Sequence, residues 1–415
     1  MRLYHLARWL SCLTLVGLLL LLRRRTRSHL PSDAILSGQQ QLEQCRVPRV
    51  VHQTWKTTKV DGKFRHNVRS WLLRNPGWRY KFWTDAQMRQ LVALKYPEHL
   101  AMYDAFPSPI MRADAFRLFV LHAEGGIYAD LDFEALRPLD TLLARAHAEG
   151  HGVLLGQEPL AHAHALYDIP RMMCNAIMGS CAQHPFWRTA MAEVRRRAVE
   201  QGVKTVRATG PKMLTAAVAT AQAMARSSGW MPRFGSVYVA PATMFYPFFD
   251  DGNVGATNMR SKCAGRDLSP RREHACSRLS ALHFRNEALS SFVADGDTVP
   301  ALAAAATDEA DAVEEDNAAA ADWGKGVRAR PFAVHHWSHT WLGGYMGGST
   351  FDVVSFTAAV GRAAVACATR GKKLCPALAP GDRRFPRCVR HAARAAGVPV
   401  PDSCRKAWGK NGNGL

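Results

Sequence analysis

Along the chain, short β-branched or aromatic runs alternate with stretches of helical period. Val47-Pro48-Arg49-Val50-Val51-His52 opens a first strand. The turn NPGW (75–78) then leads into the alternating strand Arg79–Trp83, RYKFW. Asp85 is placed to cap the helix AQMRQLVALKY that follows. Ala113–Ala123 has a helical period with Phe116, Phe119 and Val120 on one side, and it stops at Gly125-Gly126. Ile127–Phe133, IYADLDF, reads as a strand with carboxylates at alternate positions. This alternation of strands and helices predicts an α/β fold with several parallel strands. Residues 294–324 are almost entirely Ala and acidic residues, a loosely helical or disordered surface insertion with no catalytic role. From Pro331, PFAVHHWSHTWLGG brings back core-like density. No internal repeat is visible.

The N-terminus changes the picture. Leu6–Leu22 carries no charge but Arg8 and ends abruptly at Arg23-Arg24-Arg25-Thr26-Arg27. No small-x-small cleavage site follows, so an uncleaved membrane anchor is expected in preference to a signal peptide. The basic flank after the span would by itself leave the bulk of the chain cytosolic. Nine Cys lie outside the span, and Cys367, Cys375, Cys388 and Cys404 crowd the C-terminal part, which points instead to disulfides in an oxidising lumen. The charge of +20, from 54 Lys+Arg against 34 Asp+Glu, suits nucleic acid, an anionic membrane surface or a phosphate-bearing substrate. With 47% hydrophobic residues and 11 Trp, a largely disordered or fibrous protein is excluded.

The chemistry centres on Asp130-x-Asp132. On a strand these side chains share one face about 7 Å apart, and two such oxygens suit Mn²⁺ or Mg²⁺ with positions left for substrate phosphates. Ile127, Leu131 and Phe133 should bury the strand, and burying two carboxylates without a cation is costly. Upstream, Asp114 and Arg117 stand at i and i+3 on one helix face. They read either as an ion pair or as a sugar-hydroxyl and a phosphate contact. Trp55 is either core or a stacking platform for a base. His335, His336 and His339 are candidate late metal ligands, and His162 with His164 reads as ordinary loop polarity.

Taken in order, VPRVVHQTWK, NPGWRYKFWTD, RADAFRLFVLHAEGGIYADLD, NAIMGS (175–180), TGP (209–211) and HHWSHTW resemble the DXD-containing sugar glycosyltransferases. The nearest group is that of the initiating α-1,6-mannosyltransferase and the α-1,4-galactosyltransferases. The resemblance implies a GT-A type, Rossmann-like nucleotide-sugar-binding fold behind an N-terminal transmembrane anchor. A cytoplasmic tip and signal-anchor at 1–28, a stem at 29–46 and a catalytic domain at 47–345 follow that group's layout, whereas the basic, Cys-containing tail at 346–415, like the acid-rich insertion, has no counterpart in it. The resemblance also implies retaining, divalent-metal-dependent transfer of a hexose from a nucleotide sugar to a glycan or glycolipid acceptor, by a single-pass Golgi protein with a lumenal catalytic domain. Asp130 and Asp132 would be catalytic and bind Mn²⁺ (or Mg²⁺), with His335 completing the metal site and His336 as its adjacent-register alternative. Trp55, Asp114, Arg117, Gly125, Gly126 and Tyr128 would line the donor site, and Glu158 is the outside candidate for a nucleophile. HHWSHTW with TGP leans toward GDP-mannose; UDP-galactose or UDP-N-acetylglucosamine fits the same chemistry. The rival readings are a non-catalytic, membrane-tethered polyanion-binding protein and a metal-dependent phosphohydrolase.

Overall fold

The computed structural model describes residues 45–203, 205–228, 236–247, 259–281, 331–338, 349–382, 384–396 and 398–408. The expected anchor at Leu6–Leu22, most of the stem, the acid-rich insertion and His339 lie outside the described residues. Among the described residues no helix is long and apolar enough to cross a membrane.

The strands are β1 (Val50–Thr54), β2 (Lys59–Asp61), β3 (Arg79–Trp83), β4 (Gly126–Ala129), β5 (Phe133–Ala135), β6 (His151–Gln157), β7 (Met173–Ser180), β8 (Ser236–Ala240), β9 (Ala333–His335) and β10 (Thr350–Asp352). Six of them form one sheet in the order β3-β1-β4-β7-β6-β8. β1 runs parallel to β3 and β4, and β6 parallel to β8, while β7 runs antiparallel to both β4 and β6. The expected parallel-rich α/β sheet is therefore present, with β7 reversed at its centre. β4 and β7 are buried at every position, as strands covered on both faces must be.

The helices that flank the site are α1 (Arg65–Arg74), α2 (Asp85–Lys95), α3 (Pro97–Asp104), α4 (Pro109–Glu124), α5 (Asp140–Ala148), α6 (Phe186–Arg195) and α7 (Pro211–Ser228). The cap of α2 is Thr84, one residue before the expected Asp85: the Thr84 side chain accepts from the Gln87 N–H and Gln87 reaches back, a reciprocal capping box. Continuous burial from Asp114 to His122 marks α4 as an interior helix. It shares one core with α6 and α7, built on Phe116, Phe119, Trp187 and Leu214. The other face of the sheet is covered by a second core containing Trp71, Ile127, Phe133, Leu142 and Tyr246.

Two small pairings finish the frame. β5 and β9 are antiparallel with Phe133 opposite His335, and β10 pairs with β2. The C-terminal segment is docked rather than trailing: α8 (Val353–Leu374) packs on α1, and Arg69 donates to the Ala407 carbonyl at 3.2 Å. Disulfides join Cys367 to Cys404 and Cys375 to Cys388 there, with Cys45–Cys181 and Cys263–Cys276 elsewhere; Cys174 is a buried free thiol.

Candidate active site

The strand expected to run through Ile127–Phe133 is broken. β4 ends at Ala129, Leu131 and Asp132 form a turn closed by the Phe133 N–H donating to the Asp130 carbonyl at 3.1 Å, and β5 starts at Phe133. The two carboxylates therefore converge through a turn and not by strand alternation. Pairing of β5 with β9 brings His335 to them, and one ligand atom from each of Asp130, Asp132 and His335 lies within 4.8 Å of the others.

Each carboxylate is held from outside. Asp132 is 3.3 Å from His335 Nε2 and accepts the Ser338 N–H at 3.0 Å. Burial works against its ionisation, yet the imidazole and these hydrogen bonds hold its carboxyl well below the usual carboxylate range. Asp130 accepts from the Tyr128 hydroxyl at 2.7 Å and lies 3.0 Å from the Arg117 guanidinium, and its backbone carbonyl accepts from Gln53 at 3.0 Å. Burial pushes its carboxyl up to about 6; Arg117 pulls it down and the Asp132 charge pushes it up again. The buried His335 Nδ1 has no hydrogen-bond partner among the described residues. Two carboxylate oxygens and an imidazole nitrogen, short of one positive charge, are a donor set that fits a divalent cation such as Mn²⁺.

The expected donor residues fall into three groups. Asp114 and Arg117, each 4% exposed, form the ion pair at 3.3 Å beneath the turn. Arg117 also donates to the Asn175 carbonyl at 2.9 Å and stacks 5.0 Å over the Tyr128 ring, so its charge is consumed inside the protein. Tyr128 is fully buried, its hydroxyl 3.0 Å from that of Thr54, and it supports Asp130 instead of lining an open cleft. Gly125 and Gly126 lie at the opposite end of β4 from Asp130. Gly125 has φ +64°, and a Cβ on it would stand 2.6 Å from the Ala182 nitrogen; one on Gly126 (φ +94°) would stand 2.7 Å from the Val50 carbonyl. These glycines let backbones pass at close range, a structural reason for glycine at both positions that does not depend on a donor. Trp55 is partly buried, edge-on to Phe64 at 5.6 Å, against the cluster that holds Leu131; its buried indole N–H has no partner among the described residues.

His336, the alternative ligand, faces away. Successive strand residues point to opposite sides, and its Nε2 meets Glu134 at 3.1 Å, where His66 also arrives at 3.2 Å. Glu158 is buried and engaged by His162 at 3.2 Å. The His162 ring lies edge-on to Trp337 at 4.8 Å, and Trp337 packs edge-on to His335 at 4.3 Å, so a histidine read as loop polarity is joined to the site.

Sequence reasoning assigned no role to Asn175, Thr209, Gln53 or Ser338. Asn175 donates to Asp114 Oδ1 at 2.9 Å and Thr209 to Oδ2 at 3.1 Å, so the NAIMGS and TGP motifs end on one buried carboxylate. A polar residue inside an apolar strand run, as Asn175 is, was the available signal.

Residues 61–149, which span α1 to α5, match the family described as "Glycosyltransferase sugar-binding region containing DXD motif". "Inositol phosphoceramide mannosyltransferase 3" of Schizosaccharomyces pombe is 36% identical over 142 residues, 34% of this chain and 35% of that protein. "Mannosyl phosphorylinositol ceramide synthase SUR1" of Saccharomyces cerevisiae is 32% identical over 149 residues, 36% of this chain and 35% of that protein. "Initiation-specific alpha-1,6-mannosyltransferase" of Candida albicans is 29% identical over 106 residues, 24% of this chain and 28% of that protein. The chain thus spans about a third of the length of the curated relatives it matches. The solved structure "PaToxG Glycosyltransferase" superposes with a TM-score of 0.31 and 13% identity over 58% of this chain and 93% of that one, a likeness that decides nothing about the fold.

Proposed function

We propose that this chain is a retaining, divalent-metal-dependent glycosyltransferase that moves mannose from GDP-mannose onto a phosphoinositol-bearing glycolipid. The observation that carries the reading is the convergence of Asp130, Asp132 and His335 at the DXD turn, inside or paired to the matched domain. Mannose and the acceptor class are taken from the names of the relatives. Four disulfides suit an oxidising lumen, and with the apolar Leu6–Leu22 they support a single-pass Golgi protein with its catalytic domain inside.

Asp130, Asp132 and His335 would hold a divalent cation, which when bound would supply positive charge against the diphosphate leaving group. The protein's own part is preorganisation. His335 and the Ser338 N–H keep Asp132 ionised, while Arg117, Tyr128 and Gln53 fix Asp130 without any movement at the moment of reaction. With Glu158 engaged by His162, we assign retention to same-face attack. The acceptor oxygen bonds to the sugar C1 as the C1–phosphate oxygen bond breaks, and the acceptor proton passes to that departing oxygen.

The test is turnover by the purified full chain with Mn²⁺, comparing GDP-mannose with UDP-galactose and UDP-N-acetylglucosamine on an inositol phosphoceramide acceptor. Metal-dependent GDP release with GDP-mannose is expected, falling by at least about 100-fold in Asp132→Asn, a loss typical of one electrostatic group. Full activity of that variant at saturating Mn²⁺ removes the metal assignment. A folded protein inert to all three donors favours the polyanion-binding reading.

A further inference from the structure

At the far end of α4 from the DXD turn, a cleft of about 670 Å³ opens between the α2–α3 junction and α6. Lys95 ends α2, and Arg188 and Arg195 stand on α6, seven residues and so about 10 Å apart on one helix face. Among the described residues no carboxylate lies within ion-pair distance of any of the three. The one carboxylate on the wall, Glu98, is 3.9 Å from His99 instead.

Arg188 is positioned from below. Its Nε donates to His122 Nε2 at 3.4 Å, and the His122 ring is 4% exposed. Nδ1 of that ring lies 2.7 Å from the Tyr96 hydroxyl, which donates onward to the Phe119 carbonyl at 3.2 Å. This chain of donors requires a neutral His122 with its Nε2 lone pair open to Arg188, and burial followed by the Arg188 charge lowers the imidazole to about 4. Arg188 itself is exposed and borders the cleft. Gln183 binds the His122 carbonyl through its N–H at 2.7 Å and its side chain at 3.1 Å, which fixes the loop bordering the cleft.

Single surface cations are ordinary solvated groups. Three around one concavity, facing a single carboxylate, focus a positive potential into it, and the forked guanidinium matches phosphate oxygens. We propose that this cleft binds a phosphate-bearing anion, with Arg188, Arg195 and Lys95 as its counter-charges, separately from any donor at the DXD turn. A lipid headgroup and a soluble phosphate ester offer the same chemistry.

Calorimetry on the full chain in maltoside micelles with EDTA, which silences the DXD cluster, tests it. Inorganic pyrophosphate is titrated first, then micelles doped with phosphatidylinositol against undoped ones. Binding is expected in the parent chain and in Asp132→Asn, and at least tenfold weaker in Arg188→Gln/Arg195→Gln, whose exposed side chains leave the melting curve unchanged. Binding of doped micelles assigns the site to a headgroup, and binding of pyrophosphate alone to a soluble ester. Failure of both probes to bind a folded chain, or binding lost in Asp132→Asn and kept in the double variant, overturns the proposal.

Discussion

One helix, α4, serves two sites with opposite charge logic. Near its start Arg117 is buried, and two carboxylates, a carbonyl and an aromatic face consume its charge. Near its end His122 is buried and neutral, and it holds the exposed Arg188, which no carboxylate meets among the described residues. Desolvation explains the difference. A cation removed from water must be paired within the protein, whereas one at the rim of a cleft keeps water and stays available to an incoming anion. At the DXD turn the protein's own cations are spent on its own carboxylates, and the turn is left with room for external positive charge. At the cleft it is external negative charge that is wanted.

The sharpest way to break this comparison is Arg117→Met. Asp114 would remain buried, and Asp130 partly buried, with their shared cation gone, and a loss of about 3 kcal/mol in urea unfolding is expected. A loss under about 1 kcal/mol would mean that the pair is not desolvated as the structure has it.

Acid should act next. Buried His52 bonds the Gly125 carbonyl and the Trp83 indole, and burial holds its imidazole down at about 4. The unfolded chain, titrating near 6.5, takes up a proton first. Stability is therefore full above about pH 6.5 and is lost as pH falls toward 4, by about 3 kcal/mol for this group. His122 is lowered to about 4 as well and adds to the same trend. Unfolding midpoints measured from pH 7 to 4 check it, and a flat profile would contradict a buried neutral His52 and His122.

Smaller still is Thr209→Val, which takes one donor from buried Asp114 and should cost about 1–2 kcal/mol. Arg188→Gln marks the other extreme: the exposed cation should leave stability within about 0.5 kcal/mol of the parent while weakening anion binding. A large stability loss there would show that Arg188 is structural, as Arg117 is.

Much of the site was legible along the chain. Asp130 and Asp132 announced themselves as paired acids among apolar neighbours, while the i, i+3 spacing of Asp114 and Arg117 left an ion pair and donor contacts as alternatives, of which the structure has the ion pair. The Gly125-Gly126 stop located the start of β4, but local pattern was silent on what those glycines face. It also read Ile127–Phe133 as one strand, because alternation looks the same on either side of a tight turn. Asn175 and Thr209 sat in recognisable motifs without a role, since their partner is a residue of α4 far away in sequence.

By itself, then, the sequence determined the alternating α/β order, the burial of β4, and the residue types available for a metal and a donor. Side-chain periodicity and composition act locally, so they can be read locally. Tertiary structure alone decided that His335 and not His336 meets Asp132, that Arg117 serves Asp130 in place of a ligand, and that Lys95, Arg188 and Arg195 share one cleft. Each of these depends on the register of a distant strand or the seating of one helix against another, and a shift of a single residue in the β5–β9 pairing would exchange the two histidines.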